Sequence, residues 1–416
     1  MRVLVTGADG FIGRQIAAGL AAAGHAVVSC GRGRCDFARD HSPEIWLPRL
    51  KEIDAVVNCA GILRERKRDT FDRVHVQAPR ALFQACARAD VRNVVQVSSL
   101  GDPANNEFIA SKHRGDAELM KLDLDWVILR PSVVYTTRGA HGGTALLRAM
   151  AALPLVLFLP GDGQQQIAPI CREDLARIVV RLLETNRGAR QVIQIVGPYP
   201  VTMEQYLRSW RRWLGVGEPL VLRVPRWKVR IAAWFGQRFG SGPLGETMAL
   251  MLERGNIGDP GAVEKLSTIT GIQPRSMAEA LAEQPGFSQD RWQARLYFLR
   301  PMLRIALAIV WIGSGIVGLT MPAAQGAAIL ADAGITQGAS LFINGASTLN
   351  LLLGALLLVN WRVPLVSMLL FLSLLGYTLF IGIALPGSWL EAFGGILKNL
   401  ALMPALLVLA ATAERR

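Results

Sequence analysis

The run Arg2-Val3-Leu4-Val5-Thr6-Gly7-Ala8-Asp9-Gly10-Phe11-Ile12-Gly13 decides the fold. Residues 2–6 form a short apolar stretch that reads as a buried strand, and glycines follow at positions 7, 10 and 13. Beyond them Ile16, Ala17, Leu20 and Ala21 recur at helical spacing, Gly24 ends the helix, and Ala26 to Cys30 reads as a second strand. A strand, a glycine turn and a helix in that order predict a dinucleotide site. Gly7 permits the tight turn, Gly10 lets the main chain approach a pyrophosphate, and Gly13 lets helix and strand pack closely. The N–H groups and dipole of the new helix favour the anion.

The alternation continues. Strands are predicted at 54–59, 93–98 and 125–129, with helices around 72–89 and 110–122. Strands separated by helices imply a doubly wound parallel sheet covered on both faces. Residues 135–299 are less regular and punctuated by Pro154, Pro160-Gly161, Pro169 and Gly197-Pro198. They are expected to form a small second lobe, so that 1–299 is the nucleotide-binding domain. Trp210, Trp213, Trp227, Trp234 and Trp292 gather there among arginines, and Trp227, Arg230, Ile231, Trp234 and Phe235 sit at helical spacing. That spacing admits either a packed helix of the lobe or a helix lying on a membrane surface.

From residue 300 onward the composition changes. The basic residues are Arg300, Arg304, Arg362, Lys398, Arg415 and Arg416, and the acids are Asp332, Glu391 and Glu414. Spanning helices need about 20 apolar residues. Four are predicted, at 303–321, 341–359, 363–385 and 394–413, so 300–416 reads as an all-α four-helix transmembrane domain. The first connection has no Lys or Arg, while Arg362 and the Arg415-Arg416 tail carry charge. Positive-inside counting then puts the nucleotide domain and both termini in the cytoplasm, on a multi-pass inner (plasma) membrane protein. Trp311, Trp361 and Trp389 are candidate interface anchors. Lys398 and Asn399, polar in an apolar span, are either functional or, for Lys398, snorkelling.

The net charge of +13 is assigned to anionic lipid rather than nucleic acid, because the arginines form no stripe interleaved with stacking aromatics. Cys30, Cys35, Cys59, Cys86 and Cys171 are odd in number and form no CxxC, which predicts reduced thiols and no metal site. No signal-peptide pattern precedes the first strand. At the end of the second strand, Cys30-Gly31-Arg32 has no acid to bond ribose hydroxyls, whereas Arg32 and Arg34 suit a 2′-phosphate. NADP(H) is therefore favoured over NAD(H).

Thr6–Gly13, Asp36-Phe37, Asn58-Cys59-Ala60-Gly61, Ser98-Ser99, Lys112 and Arg130-Pro131-Ser132-Val133-Val134-Tyr135 together resemble the short-chain dehydrogenase/reductase superfamily, in its extended and atypical branches. Gly61–Glu65 with Phe71 and His75, then Ala78–Leu82, is similar to relatives of the nucleotide-binding accessory subunit of respiratory complex I. The resemblance implies that Gly7, Gly10, Phe11, Ile12 and Gly13 hold the pyrophosphate and that Asp36 and Phe37 border the adenine. It implies that Cys59, Ala60 and Gly61 line the ribose path. Ser98 or Ser99 would sit beside the nicotinamide, Lys112 would bond its ribose, and Pro131 to Val133 would pass beneath the ring. Ser99 and Lys112 would carry the chemistry.

The family's tyrosine, four residues before the lysine, is replaced by Phe108. The usual proton donor is therefore missing. Tyr135, His113 and His141 are the candidate substitutes. The segment from about Leu303 to Ala413 resembles DoxX-like membrane domains through Trp311, Ser314-Gly315, Pro386, Trp389 and Lys398-Asn399-Leu400. Two functions follow. One is an oxidoreductase acting on a membrane-borne quinone or lipid; the other is a non-catalytic cofactor-binding structural, assembly or redox-sensing part of a membrane complex. An epimerase or isomerase is a weaker third reading, because that chemistry normally needs the same tyrosine.

Overall fold

The computed structural model describes residues 1–104, 106–139, 142–239, 245, 250, 255–390 and 395–413. The chain divides into two compact units, Met1–Ala294 and Arg295–Arg416.

The first unit is built on six parallel strands: β1 (Arg2–Thr6), β2 (Ala26–Cys30), β3 (Ala55–Asn58), β4 (Asn93–Val97), β5 (Asp125–Pro131) and β6 (Gln191–Ile195). Their order across the sheet is β2-β1-β3-β4-β5-β6. Five of these are the strands read from the sequence. The sixth falls within the stretch expected to be lobe and instead pairs along β5, with Gln191 opposite Val127 and Ile195 opposite Pro131.

Apolar side chains leave both faces of these strands, as a parallel sheet covered on two sides requires. Leu4, Val56, Val94 and Ile128 pack on one side with Trp46, Ala81 and Leu82. Val3, Val5, Val57, Val95 and Leu129 pack on the other with Ile16, Leu20, Leu175 and Val179. The helices supplying those layers include α1 (Phe11–Ala22), α2 (Ala78–Arg88) and Arg172–Thr185. Helix α3 (Glu107–Met120) starts earlier than the spacing predicts, because the Asn106 side chain caps it by accepting the Ile109 N–H at 2.8 Å.

The lobe has its own core of Tyr135, Leu157, Tyr206 and Trp210. Buried Arg211 is satisfied there by carbonyls, among them those of Ala151 at 3.1 Å and Pro154 at 2.9 Å. The tryptophan cluster splits: Trp210 is buried, whereas Trp227, Trp234 and Trp292 are exposed.

The second unit is helical. Among the described residues, three helices are long and apolar enough to cross a membrane, Ser288–Thr320, Ala339–Leu358 and Val363–Ala384, and Ile396–Thr412 is a shorter apolar fourth. The stretch read as the first connection contains a further helix, Ala323–Asp332. Glycines let the helices approach: a side chain at Gly315 would lie 2.7 Å from the Ser347 carbonyl oxygen. Trp311 is not an interface anchor, because it is buried in this unit's core with Leu307, Leu357 and Leu406. Asn399 donates to Thr378 Oγ1 at 2.8 Å, a polar link between two apolar helices; Lys398 is exposed.

Candidate active site

The chain leaves β1 toward β2 on one side and returns to β3 on the other, so a crevice opens at the carboxyl ends of β1 and β3. Gly7 stands at its centre with φ +63°, in the left-handed region. A side chain there would lie 2.8 Å from the Ala60 nitrogen, so only glycine fits. The Gly7 amide donates to the Cys30 carbonyl at 3.0 Å and the Gly10 amide to the Gly7 carbonyl at 2.9 Å. A Cβ on Gly13 would collide with the Gly7 carbonyl. Gly10 caps α1 without any side-chain bond. The first-turn amides, including those of Phe11 and Ile12, thus suit an anion. These features fit a dinucleotide pyrophosphate.

Beneath the crevice runs a buried polar ladder. Thr6 Oγ1 donates to Asn58 Oδ1 at 2.5 Å, and Asn58 Nδ2 donates to Gln96 Oε1 at 2.7 Å. Asn58 Oδ1 also accepts the Ala60 amide at 3.2 Å. The ladder ties the ends of β1, β3 and β4 and so fixes the Cys59-Ala60-Gly61 wall.

Lys112 reaches that wall from α3. Its Nζ is buried and donates to the Ala60 carbonyl at 2.9 Å and the Val97 carbonyl at 3.2 Å. A side chain at Gly61 would come within 2.8 Å of that nitrogen. Burial pulls the ammonium down to about 8, against the opposing influence of Asp116 and Cys59.

Phe108, in the tyrosine position, packs in a buried apolar cluster with Phe71 and Ile109. His75 packs beside it, with ring centroids 5.6 Å apart. The His75 Nε2 accepts the Ile62 amide at 3.0 Å, so Nδ1 carries the proton and donates to Ser111 Oγ at 2.8 Å. Ser111 in turn donates to the Phe108 carbonyl at 3.0 Å. Burial, then Lys112, holds the His75 imidazolium well below its ordinary range, so the ring is neutral.

A second network ties α3 to β5 and to the end of β4. Asp116 Oδ2, fully buried, accepts from Ser98 Oγ at 2.7 Å and from Arg130 Nη2 at 3.1 Å. Burial pushes its carboxyl above the usual range, with Ser98 and Arg130 opposing. Ser98 is thereby committed to Asp116, while the Ser99 hydroxyl makes only a long 3.4 Å bond to the Leu100 carbonyl. His113 Nε2 lies 3.0 Å from the Ser99 carbonyl. Sequence reasoning missed Asp116 entirely, and it missed the partnership of Ser111 with His75.

Just beyond β2, Arg32 is exposed and pairs with Asp69 at 3.3 Å. A side chain at Gly31 would collide with the Asp9 carboxylate. Cys30 and Cys35 are joined in a disulfide, Cα–Cα 5.6 Å, which corrects the expectation of thiols throughout. The tight turn 31–35, in which the Cys35 amide donates to the Gly31 carbonyl at 2.9 Å, brings the two within bridging distance. Cys59, Cys86 and Cys171 are free. Asp36 Oδ1 accepts the Ala38 amide at 3.0 Å, while Phe37 packs edge-on against Trp46, at 5.4 Å, in the core. Pro131 ends β5, and its carbonyl accepts the Leu100 amide at 3.1 Å.

Tyr135 is not brought to the crevice. Its phenol is fully buried in the lobe core, 5.9 Å from Trp210, and burial drives its ionisation far above the ordinary value. His141 lies outside the described residues. The lobe also bounds a cavity of about 610 Å³ lined by Thr137, Arg138, Trp213 and Gln284 among others. Arg172 links its rim to the crevice, donating to the Phe11 and Arg138 carbonyls at 3.4 Å each.

Residues 3–196 match the NAD dependent epimerase/dehydratase family, and residues 308–407 match the DoxX-like family. The chain joins an epimerase-type nucleotide domain to a DoxX-like membrane domain. Ceramide reductase of Caulobacter vibrioides is 28% identical over 243 residues, which span 54% of this chain and 73% of that protein. The 40 kDa subunit of mitochondrial NADH-ubiquinone oxidoreductase of Neurospora crassa is 26% identical over 155 residues, 37% of this chain and 40% of the subunit. Two solved structures share the fold. A human epimerase family protein with NADPH has a TM-score of 0.52 at 24% identity, covering 68% of this chain and 98% of its own. UDP-glucuronic acid 4-epimerase from Bacillus cereus with its sugar nucleotide and NAD has a TM-score of 0.52 at 20% identity, covering 71% and 100%. This architecture accommodates either nicotinamide dinucleotide in those proteins, so the fold alone does not choose between them.

Proposed function

We propose that the chain is a membrane-anchored NADP(H)-dependent oxidoreductase acting on a quinone or lipid delivered from the bilayer. The observation that carries this reading is Lys112. It is a buried ammonium held against the Ala60 carbonyl, beside the glycine turn and in the wall of the crevice. A nicotinamide cofactor bound there supplies a hydride. Gly7, Gly10 and Gly13 would seat its pyrophosphate, Cys59 to Gly61 would border the ribose, and Arg32 with Arg34 would meet a 2′-phosphate.

Lys112 has two of its three N–H bonds engaged by carbonyls, so one remains to face the ribose or the acceptor oxygen. Because burial brings it to about 8, it holds a proton at neutral pH and releases it readily, which is what a donor replacing the tyrosine must do. A quinone can instead take its proton from water. Ser99 is the hydroxyl left to orient the acceptor. The relative named for ceramide reduction acts on a lipid, in keeping with a substrate that a membrane domain would deliver.

A second reading is favoured by Phe108, which packs with Phe71 and His75 and leaves no phenol at the reaction end. There the chain binds the nucleotide without turnover, as a structural or sensing part of a membrane complex. Oxidation of NADPH by a short-chain quinone, followed at 340 nm on the detergent-solubilised full-length protein, separates the two. Steady turnover that is lost in Lys112→Ala supports the enzyme; tight binding without oxidation supports the second reading.

A further inference from the structure

Helix Arg226–Phe239 touches its own unit along a narrow stripe. Among its described residues Ala233 alone is buried, with Val229 and Gly236 partly so. At 3.6 residues per turn these three share one side. Trp227, Ile231, Trp234 and Phe235 fall on the opposite side, each between 49% and 60% exposed. Lys228 and Arg230 flank that aromatic stripe, Arg226 and Arg238 lie toward its ends, and no acid occurs anywhere from Pro219 to Phe239.

The adjoining strands extend the same surface. Val156–Pro160 and Leu220–Val224 pair in parallel, with Leu222 opposite Phe158. Leu155, Phe158, Leu220 and Leu222 are all exposed. A side chain added at Gly161, just beyond the first of these strands, would lie 3.5 Å from the Arg226 Nε, so strand pair and helix are neighbours. Water-soluble surfaces rarely present so continuous an apolar patch. An aromatic stripe with basic flanks and no acids is the pattern of a helix lying in the headgroup region.

We infer that helix Arg226–Phe239 with its adjoining strand pair is a seat for an anionic lipid surface. The occupant is a bilayer because the flanking charge is uniformly basic and because the same chain carries apolar helices long enough to hold it at a membrane. The seat is joined to the crevice: Arg64, three residues beyond Gly61, donates to the Gly236 carbonyl at 3.1 Å. On the oxidoreductase reading, on which this second step rests, a lipid-dissolved substrate enters beside the Gly61 wall.

The test uses full-length protein reconstituted into phosphatidylcholine vesicles with and without phosphatidylglycerol. A spin label at Ile231→Cys is compared with one at exposed Tyr199→Cys, and the signal of the unsubstituted protein is subtracted. On anionic vesicles the label at 231 should collide several-fold more with oxygen, relative to a water-soluble nickel chelate, than the label at 199. Lys228→Glu with Arg230→Glu should abolish that preference. A label at 231 as open to nickel as the one at 199 overturns the seat. So does a label shielded from both agents, which would mean a protein surface covers the stripe. The entry route is read separately. Trp227→Ser with Trp234→Ser should slow turnover of a vesicle-borne quinone about tenfold and spare a water-soluble one; equal slowing of both overturns the route. If neither quinone is turned over in the parent protein, the oxidoreductase reading fails and the collision data still decide the seat.

Discussion

The two ends of the crevice are made of different material. At the proposed phosphate end Gly7, Gly10 and Gly13 offer main-chain atoms from one continuous turn. At the proposed reaction end Ser111, Lys112 and Asp116 of α3 meet His75 and Ser98 from other elements. On the function proposed above, the first end does one thing, which is to hold an anion at a helix start. The second can hold or release protons, and its chemistry changes when one aromatic ring loses its hydroxyl. A binding end and a reacting end can therefore diverge independently, which is why cofactor binding is common to both readings of function.

The largest effect expected from breaking this comparison is at the binding end. Gly7→Val forces a branched side chain into a positive φ and onto the Ala60 nitrogen, 2.8 Å away. Strain of roughly 1–3 kcal/mol from the backbone alone adds to the clash. Saturable nucleotide binding, followed by nicotinamide fluorescence, should disappear. At the reacting end Lys112→Ala should lower turnover roughly 10²–10⁴-fold while leaving nucleotide binding measurable. In the parent protein turnover should fall as pH rises through about 8, where Lys112 gives up its proton.

The same lysine makes a stability prediction of definite sign. Its folded value lies below the ordinary value of 10.5, so between about 8 and 10.5 the unfolded chain binds more protons than the folded one. The parent protein should gain stability relative to Lys112→Met as pH rises through that window. Thermal unfolding in detergent at pH 7.5 and 10 reads the difference. A constant gap between the two proteins would show that Lys112 is not perturbed.

How much of this was legible in the sequence follows the same division. The glycine turn and strands β1 to β5 are readable because each is a local pattern of apolar residues and turn chemistry. Strand β6 and helix Arg172–Thr185 were hidden in a stretch whose prolines and glycines pointed to an irregular lobe, although the helix packs in the same core layer as Ile16 and Leu20 of α1. The Cys30–Cys35 pair was missed because an odd count and the lack of a CxxC argued for thiols. Phe108 was identified by its spacing from Lys112. Its neighbours Phe71 and His75 join it only through contacts across more than 30 residues. Asp116 has no motif around it, and its importance comes from Ser98 and Arg130, which only the fold brings to it.

Two smaller effects sharpen the comparison. Asp116→Ala leaves Ser98 and Arg130 without their shared acceptor and should cost about 1–3 kcal/mol of unfolding free energy, read by thermal unfolding. It should change nucleotide affinity little, since none of its contacts lies in the glycine turn. Arg32→Ala should weaken NADPH binding roughly tenfold, the loss of one charge-assisted bond, and leave NADH binding unchanged. Equal losses for both nucleotides would remove the basis for preferring NADP(H).

The most direct test is to titrate the detergent-solubilised full-length protein with NADPH and NADH and to follow nicotinamide fluorescence. The account predicts saturable binding of both, tighter for NADPH, and abolished by Gly7→Val. Binding of neither nucleotide to folded protein would contradict it at its centre.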